Sequence, residues 1–144
     1  MPKIEIKRLN DNYLMEAKAE NGSTVLLDAS KAAGGDESGF SPMQLLLAGL
    51  GGCTSIDVIS ILKKQRADIK DMQVTVEGER QKGVVPSLWE KAHVHFKFFG
   101  NLENEKAARA IELSMTKYCS ATKTLEMSCA ITYSFEVIKQ SIVL

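Results

Sequence analysis

The chain has 144 residues, of which 18 are acidic and 18 basic, with 44% hydrophobic and 25% charged residues. That length suits one domain spanning residues 1–144, able to bury a core without disulfide staples. Balanced charge and the lack of RNP or zinc-finger spacing argue against nucleic acid, and no run approaches the roughly 18 consecutive apolar residues of a membrane span.

Residues 4–9 and 13–19 alternate in polarity on either side of Asn10-Asp11-Asn12, which predicts a hairpin. Asn21-Gly22 signals another turn, and Thr24-Val25-Leu26-Leu27-Asp28 follows as a third strand. The N-terminus lacks the long apolar stretch of a signal peptide, so a cytoplasmic location is expected, where thiols stay reduced. Residues 30–40 carry Gly34, Gly35 and Gly39 among polar neighbours and read as a flexible loop, either solvated or bordering a site.

Ser41-Pro42-Met43-Gln44 has the form of a capping box with proline at the first helical position. The helix it opens should run to about Arg66, where Lys63-Lys64-Gln65-Arg66 suits a helix C-terminus. It is apolar nearly all round as far as Cys53, which predicts a buried central helix. Gly49, Gly51 and Gly52 each cost about 1 kcal/mol there relative to alanine. Gly49, Gly52 and Cys53 share one helix face, which either admits another backbone or leaves room beside the thiol.

Residues 72–80 read as a strand, 81–87 as a turn, and 89–99 as a long alternating strand. His93 and His95 share one face of it, but no third ligand stands at metal spacing, so a solvated face is expected. Asn101 is the expected cap of a second helix over 103–118, with Cys119 at its end and 120–125 a short connector. Residues 128–138 form the last strand, in which Cys129 serves as a small buried hydrophobe. The order β-β-β-α-β-β-α-β, with antiparallel sheets around a long buried central helix, is α+β. One small sheet would not cover that helix, so an intertwined homodimer is expected.

Three cysteines argue against a fixed disulfide framework. Cys53 in an apolar, glycine-loosened helix and Cys119 at a helix end suit a reactive pair brought together by folding, because thiol chemistry depends on microenvironment.

The stretch Ser41-Pro42-Met43-Gln44-Leu45-Leu46-Leu47-Ala48-Gly49-Leu50-Gly51-Gly52-Cys53-Thr54-Ser55-Ile56-Asp57-Val58 and the stretch Lys117-Tyr118-Cys119-Ser120-Ala121-Thr122-Lys123-Thr124-Leu125 resemble the two cysteine signatures of the OsmC/Ohr family. The first is most similar to its YhfA-like branch. The resemblance implies an OsmC-like fold and an intertwined homodimer with two interfacial active sites. It implies a thiol peroxidase in oxidative-stress defence that reduces organic hydroperoxides, with Cys53 peroxidatic and Cys119 resolving. No metal or bound cofactor is expected, only an external dithiol reductant. The family's glutamate, about ten residues before the first cysteine and paired with an arginine, has no counterpart: Met43 and Gln44 stand there. Arg80 and Lys123 are candidate replacements, and Asp57 would disfavour a thiolate if it faced the same pocket. The other reading is a non-catalytic binder of a small apolar ligand on the same scaffold. A zinc site from Cys53, Cys119 and a histidine is a minor third.

Overall fold

The computed structural model describes residues 1–139. The chain divides into two compact units, 1–46 and a second that starts at Leu47, and the division falls inside the first long helix.

The first unit holds strands β1 (Ile4–Arg8), β2 (Met15–Ala19) and β3 (Thr24–Leu27), an antiparallel meander in that order. The polar turn between β1 and β2 is closed by Asn10, whose side-chain oxygen accepts from the Asn12 and Leu14 amides. The expected loop over 30–40 is more ordered than its glycines suggest. Ser30 caps a 3-10 turn, Lys31–Ala33, and Gly34 ends it at φ 97, a left-handed conformation that favours glycine. Asp28 is 2% exposed, and its carboxylate accepts from the Ala29 and Ser38 amides, tying both ends of that segment together.

Helix α1 (Pro42–Lys64) begins at the expected capping box. The Gln44 amide donates to Ser41 Oγ at 3.1 Å, and the Ser41 amide donates to Gln44 Oε1 at 2.9 Å. The second unit continues with β4 (Asp71–Arg80), β5 (Trp89–Phe99), α2 (Asn104–Leu113), α3 (Ser120–Leu125) and β6 (Ala130–Ile138). Its sheet has the order β4-β5-β6. Central β5 alternates as the sequence implies, burying Ala92, Val94, Phe96 and Phe98. These pack with Leu50, Val58 and Leu62 of α1 and with Ala107, Ala110 and Ile111 of α2. Each large apolar side chain so removed from water contributes roughly 1.5–3 kcal/mol.

The α+β class stands, with two three-stranded sheets plus helices, but four details of the expectation need correction. First, the sheets are not wholly antiparallel: β5 and β6 run parallel, from Lys91 beside Ala130 to Phe99 beside Ile138. The helical crossover between them returns the chain to the same end of the sheet, which parallel pairing requires. Second, α1 is not buried all round. Its covered stripe is Leu50, Gly51, Thr54, Val58 and Leu62, while Ile56 is 68% exposed, because one sheet with α2 reaches only one side. α1 has 23 residues, and its most apolar 18-residue window, with a mean hydropathy of 1.9 and 28% of it buried, reaches the length and composition of a membrane span. Its apolar run is interrupted by Thr54, Ser55 and Asp57.

Third, Asn101 does not cap α2. Glu103 holds the extended N-cap position without a side-chain bond, and its carbonyl accepts from the Ala107 amide. Fourth, the helix does not continue regularly to Tyr118. It widens into a π turn, Ser114–Tyr118, closed by the Cys119 amide donating to the Ser114 carbonyl at 2.7 Å.

The polar face of β5 meets the polar face of β6. His93 hydrogen-bonds Thr132 Oγ1 at 2.6 Å and Ser134 Oγ at 2.7 Å, and His95 shares the same Ser134 hydroxyl at 2.7 Å. Both rings are half-buried among hydroxyls rather than fully solvated. Cys129 is 4% exposed within the core, as a small hydrophobe would be.

Candidate functional site

Cys53 projects from the middle of α1, one turn before Asp57. Cys119 sits where the π turn ends and α3 begins. It therefore stands at two helix ends at once, and the expected connector over 120–125 is itself helical. The fold brings the two sulfurs together: Cys53 Sγ, Cys119 Sγ and a carboxylate oxygen of Asp57 all lie within 4.8 Å of one another. No disulfide joins them.

The three groups differ in exposure. Cys53 and Asp57 are half-buried, whereas Cys119 is 1% exposed. Burial pushes the Cys119 thiol above its ordinary value of 9.0, against a downward pull from its hydrogen bonds with Thr122, and the neighbouring Cys53 sulfur adds a smaller upward push. The Thr122 amide donates to Cys119 Sγ at 3.4 Å, so α3 caps itself on the sulfur.

Behind the thiols runs a buried polar chain that sequence reasoning missed. Ser114 Oγ donates to Asp57 Oδ2 at 3.0 Å, and Thr54 Oγ1 lies 2.8 Å from the same serine hydroxyl. Thr54 and Ser114 are both fully buried, so their hydroxyls need these partners. The spacing of Cys53 and Asp57, four residues apart on one helix, signalled that they share a face. Ser114 carried no such signal, because its place depends on the π turn.

The candidate basic groups are engaged elsewhere. Arg80 donates to the Ser87 carbonyl and lies over the Trp89 ring, and Lys123 pairs with Glu126 at 3.1 Å. Gln44, in the neighbourhood of the family's glutamate, is held in the capping box. Two cysteine sulfurs and a carboxylate oxygen are donor types that zinc accepts, but burial keeps the Cys119 thiol protonated and three groups fall short of the four ligands of a structural zinc site. The cluster draws its third donor from Asp57 and not from a histidine: among the described residues, both histidines are bonded to β6 hydroxyls. Beside Asp57 opens a cavity of about 470 Å³, lined also by Ser60, Ile61, Lys64, Gln65, Leu113 and Tyr118.

The sequence profile described as OsmC-like protein matches residues 34–134. The chain is 38% identical over 122 residues to protein YhfA of Escherichia coli strain K12, covering 84% of this chain and 87% of that one. In structure it is similar to a hypothetical protein from Aquifex aeolicus VF5, with a TM-score of 0.79 and 26% identity over 95% of this chain and 97% of the other. It also superimposes on an organic hydroperoxide resistance protein OsmC from Legionella pneumophila, with a TM-score of 0.72 over 94% and 97% of the two chains, and at 15% identity that likeness is one of fold.

Proposed function

Because the chain belongs to the OsmC-like protein family, we propose that it is a thiol-dependent peroxidase that reduces organic hydroperoxides in oxidative-stress defence. The observation that carries this reading is the approach of Cys53 Sγ and Cys119 Sγ to within 4.8 Å. The half-buried Cys53 is the sulfur a peroxide reaches first, so it takes the peroxidatic role, and the buried Cys119 resolves. The hydroperoxide resistance described for the Legionella pneumophila protein lends the reading support from the fold.

The chemistry runs in three steps. The Cys53 thiolate attacks a peroxide oxygen, an S–O bond forms as O–O breaks, and the leaving alkoxide takes a proton to become alcohol. The Cys119 sulfur then attacks the Cys53 sulfenic acid, S–S forms as S–O breaks, and water leaves. An external dithiol in a reducing, cytoplasmic setting reopens the disulfide. No bound metal or cofactor enters this sequence.

Mass mapping after one equivalent of cumene hydroperoxide tests the reading. A Cys53–Cys119 disulfide with Cys129 still reduced is the expected product, and Cys53→Ser abolishes peroxide consumption in the presence of dithiothreitol. Equally slow consumption by wild type and Cys53→Ser overturns it.

The functional unit in this reading is a homodimer. The exposed side of α1 presents Gly49, Gly52 and Ile56, and among the described residues nothing outside the adjoining helix backbone comes within 4 Å of a Cβ built on either glycine. A second copy covers that stripe, and a monomer mass by sedimentation at micromolar concentration would refute this part.

A second reading, capture of a small apolar ligand without catalysis, draws on the cavity beside Asp57. Ile61, Leu113 and Tyr118 give it apolar walls, and the buried Gln65 Oε1 accepts no hydrogen bond within the described residues. Native mass spectrometry of freshly purified protein separates the two readings, since a clean apo mass counts against ligand capture.

A further inference from the structure

We infer that the Asp57 carboxylate is the proton acceptor that lets the Cys119 thiol close the disulfide onto Cys53. The inference rests on the peroxidase reading and assigns the base for its second step. Cys119 is 1% exposed, so a base from bulk solvent has poor access to its proton. Asp57 supplies a carboxylate oxygen within 4.8 Å of both sulfurs, a separation that one water bridges. The carboxylate is held for that role. Ser114 Oγ donates to Oδ2, Thr54 backs Ser114, and both hydroxyl residues are fully buried. Oδ1 lies outside that bond and remains to receive a proton. A group fixed in this way needs no reorganisation when the proton moves.

The step balances. The Cys119 S–H bond breaks and its proton passes to Asp57. The Cys119 sulfur forms S–S with Cys53 as the S–O bond of the sulfenic acid breaks. The departing hydroxide takes the proton from Asp57, water leaves, and the carboxylate is restored.

The titratable groups that face Asp57 come from two elements. Cys53 and Lys64 come from α1, and Tyr118 and Cys119 from the π turn and its end; Lys64 and Tyr118 line the same cavity as Asp57. Burial holds the Cys119 proton on through neutral pH, so the need for a base is greatest there.

Quenched-flow mass spectrometry, with dimedone to trap sulfenic acid, times the two steps separately. Asp57→Asn is expected to slow disulfide closure relative to sulfenic-acid formation on the order of a hundredfold at neutral pH, the scale of general acid–base catalysis. The deficit should shrink above the ordinary thiol range, and Asp57→Glu should restore much of the rate. An unchanged ratio of the two steps in a folded Asp57→Asn protein overturns the inference and leaves the peroxidase reading intact. A wild type that forms no sulfenic acid overturns both. Wild-type protein alone gives an independent check. Closure should show a normal solvent deuterium isotope effect, and its absence refutes proton transfer to Asp57 whatever the variants do.

Discussion

A Cβ placed on Gly51 would stand 2.7 Å from Cγ2 of Val76 on β4. Val76 is β-branched and stiff at χ1, so it yields poorly. Gly51→Ala therefore gains about 1 kcal/mol of helix propensity and loses roughly 1–3 kcal/mol to overpacking. The expected net result is a loss of about 1 kcal/mol in urea unfolding. At the neighbouring Gly52, nothing among the described residues beyond the adjoining helix backbone lies within 4 Å of a built Cβ. Within one chain Gly52→Ala should stabilise by up to about 1 kcal/mol. If the proposed second copy packs on that stripe, Gly52→Ala instead weakens dimerisation, which sedimentation reads directly.

The same helix shows what the sequence discloses and what it withholds. The capping box at Ser41 and Gln44 is local chemistry, and it forms as written. Strand alternation in residues 89–99 likewise reports a half-buried sheet, and β5 buries the expected face. The convergence of Cys53 and Cys119 was legible through the paired motifs. The parallel pairing of β5 with β6 was not, because direction depends on where the crossover returns the chain. The π turn was hidden because nothing in Ser114-Met115-Thr116-Lys117-Tyr118 marks it, and with it went the bond from Ser114 to Asp57. Of the three glycines in α1, the close approach is at Gly51, one residue off the face that carries Cys53, because the sheet lies on the side opposite the open stripe.

The buried hydroxyl pair behind the thiols is a stability element as well as a support for Asp57. Removing Ser114 Oγ leaves Thr54 with only the Met115 sulfur at 3.3 Å and strips Asp57 Oδ2 of its donor. Ser114→Ala should cost about 1–3 kcal/mol, the penalty for unsatisfied buried groups. Thr54→Val alone should cost a similar amount. The double variant should cost less than the sum, since each single change already breaks their shared bond. Strict additivity in a double-mutant cycle would show that the two hydroxyls do not interact.

Stability should fall on the alkaline side for a definable reason. Burial raises the thiols of both Cys119 and Cys129 above 9.0 in the folded chain. A folded value above the unfolded one means that the native state keeps its protons longer. The stability tied to those protons is fully present below about pH 9, the unfolded range, and is lost as pH rises through the folded values. Urea midpoints should therefore hold steady between neutral pH and the thiol range and then decline. Cys129→Val, which removes one of the two thiols without removing apolar contacts, should flatten the decline. The same alkaline slope in Cys129→Val and wild type would exclude Cys129 as a contributor.

Exposure orders the three thiols toward an alkylating reagent. Cys53 is half-buried, Cys119 is 1% exposed and Cys129 is 4% exposed. Under native conditions iodoacetamide should modify Cys53 first, and the two buried thiols should react only through opening motions that expose them. Peptide mapping over a time course measures the three rates in one sample. After treatment with one equivalent of cumene hydroperoxide, Cys53 and Cys119 should become unreactive together until a dithiol is added. Cys129 should keep its native rate, because its place in the core with Leu125 and Ile131 takes no part in the exchange. Protection of Cys53 without protection of Cys119 would mean that oxidation stops before the disulfide, and the resolving role would pass from Cys119 to the external thiol.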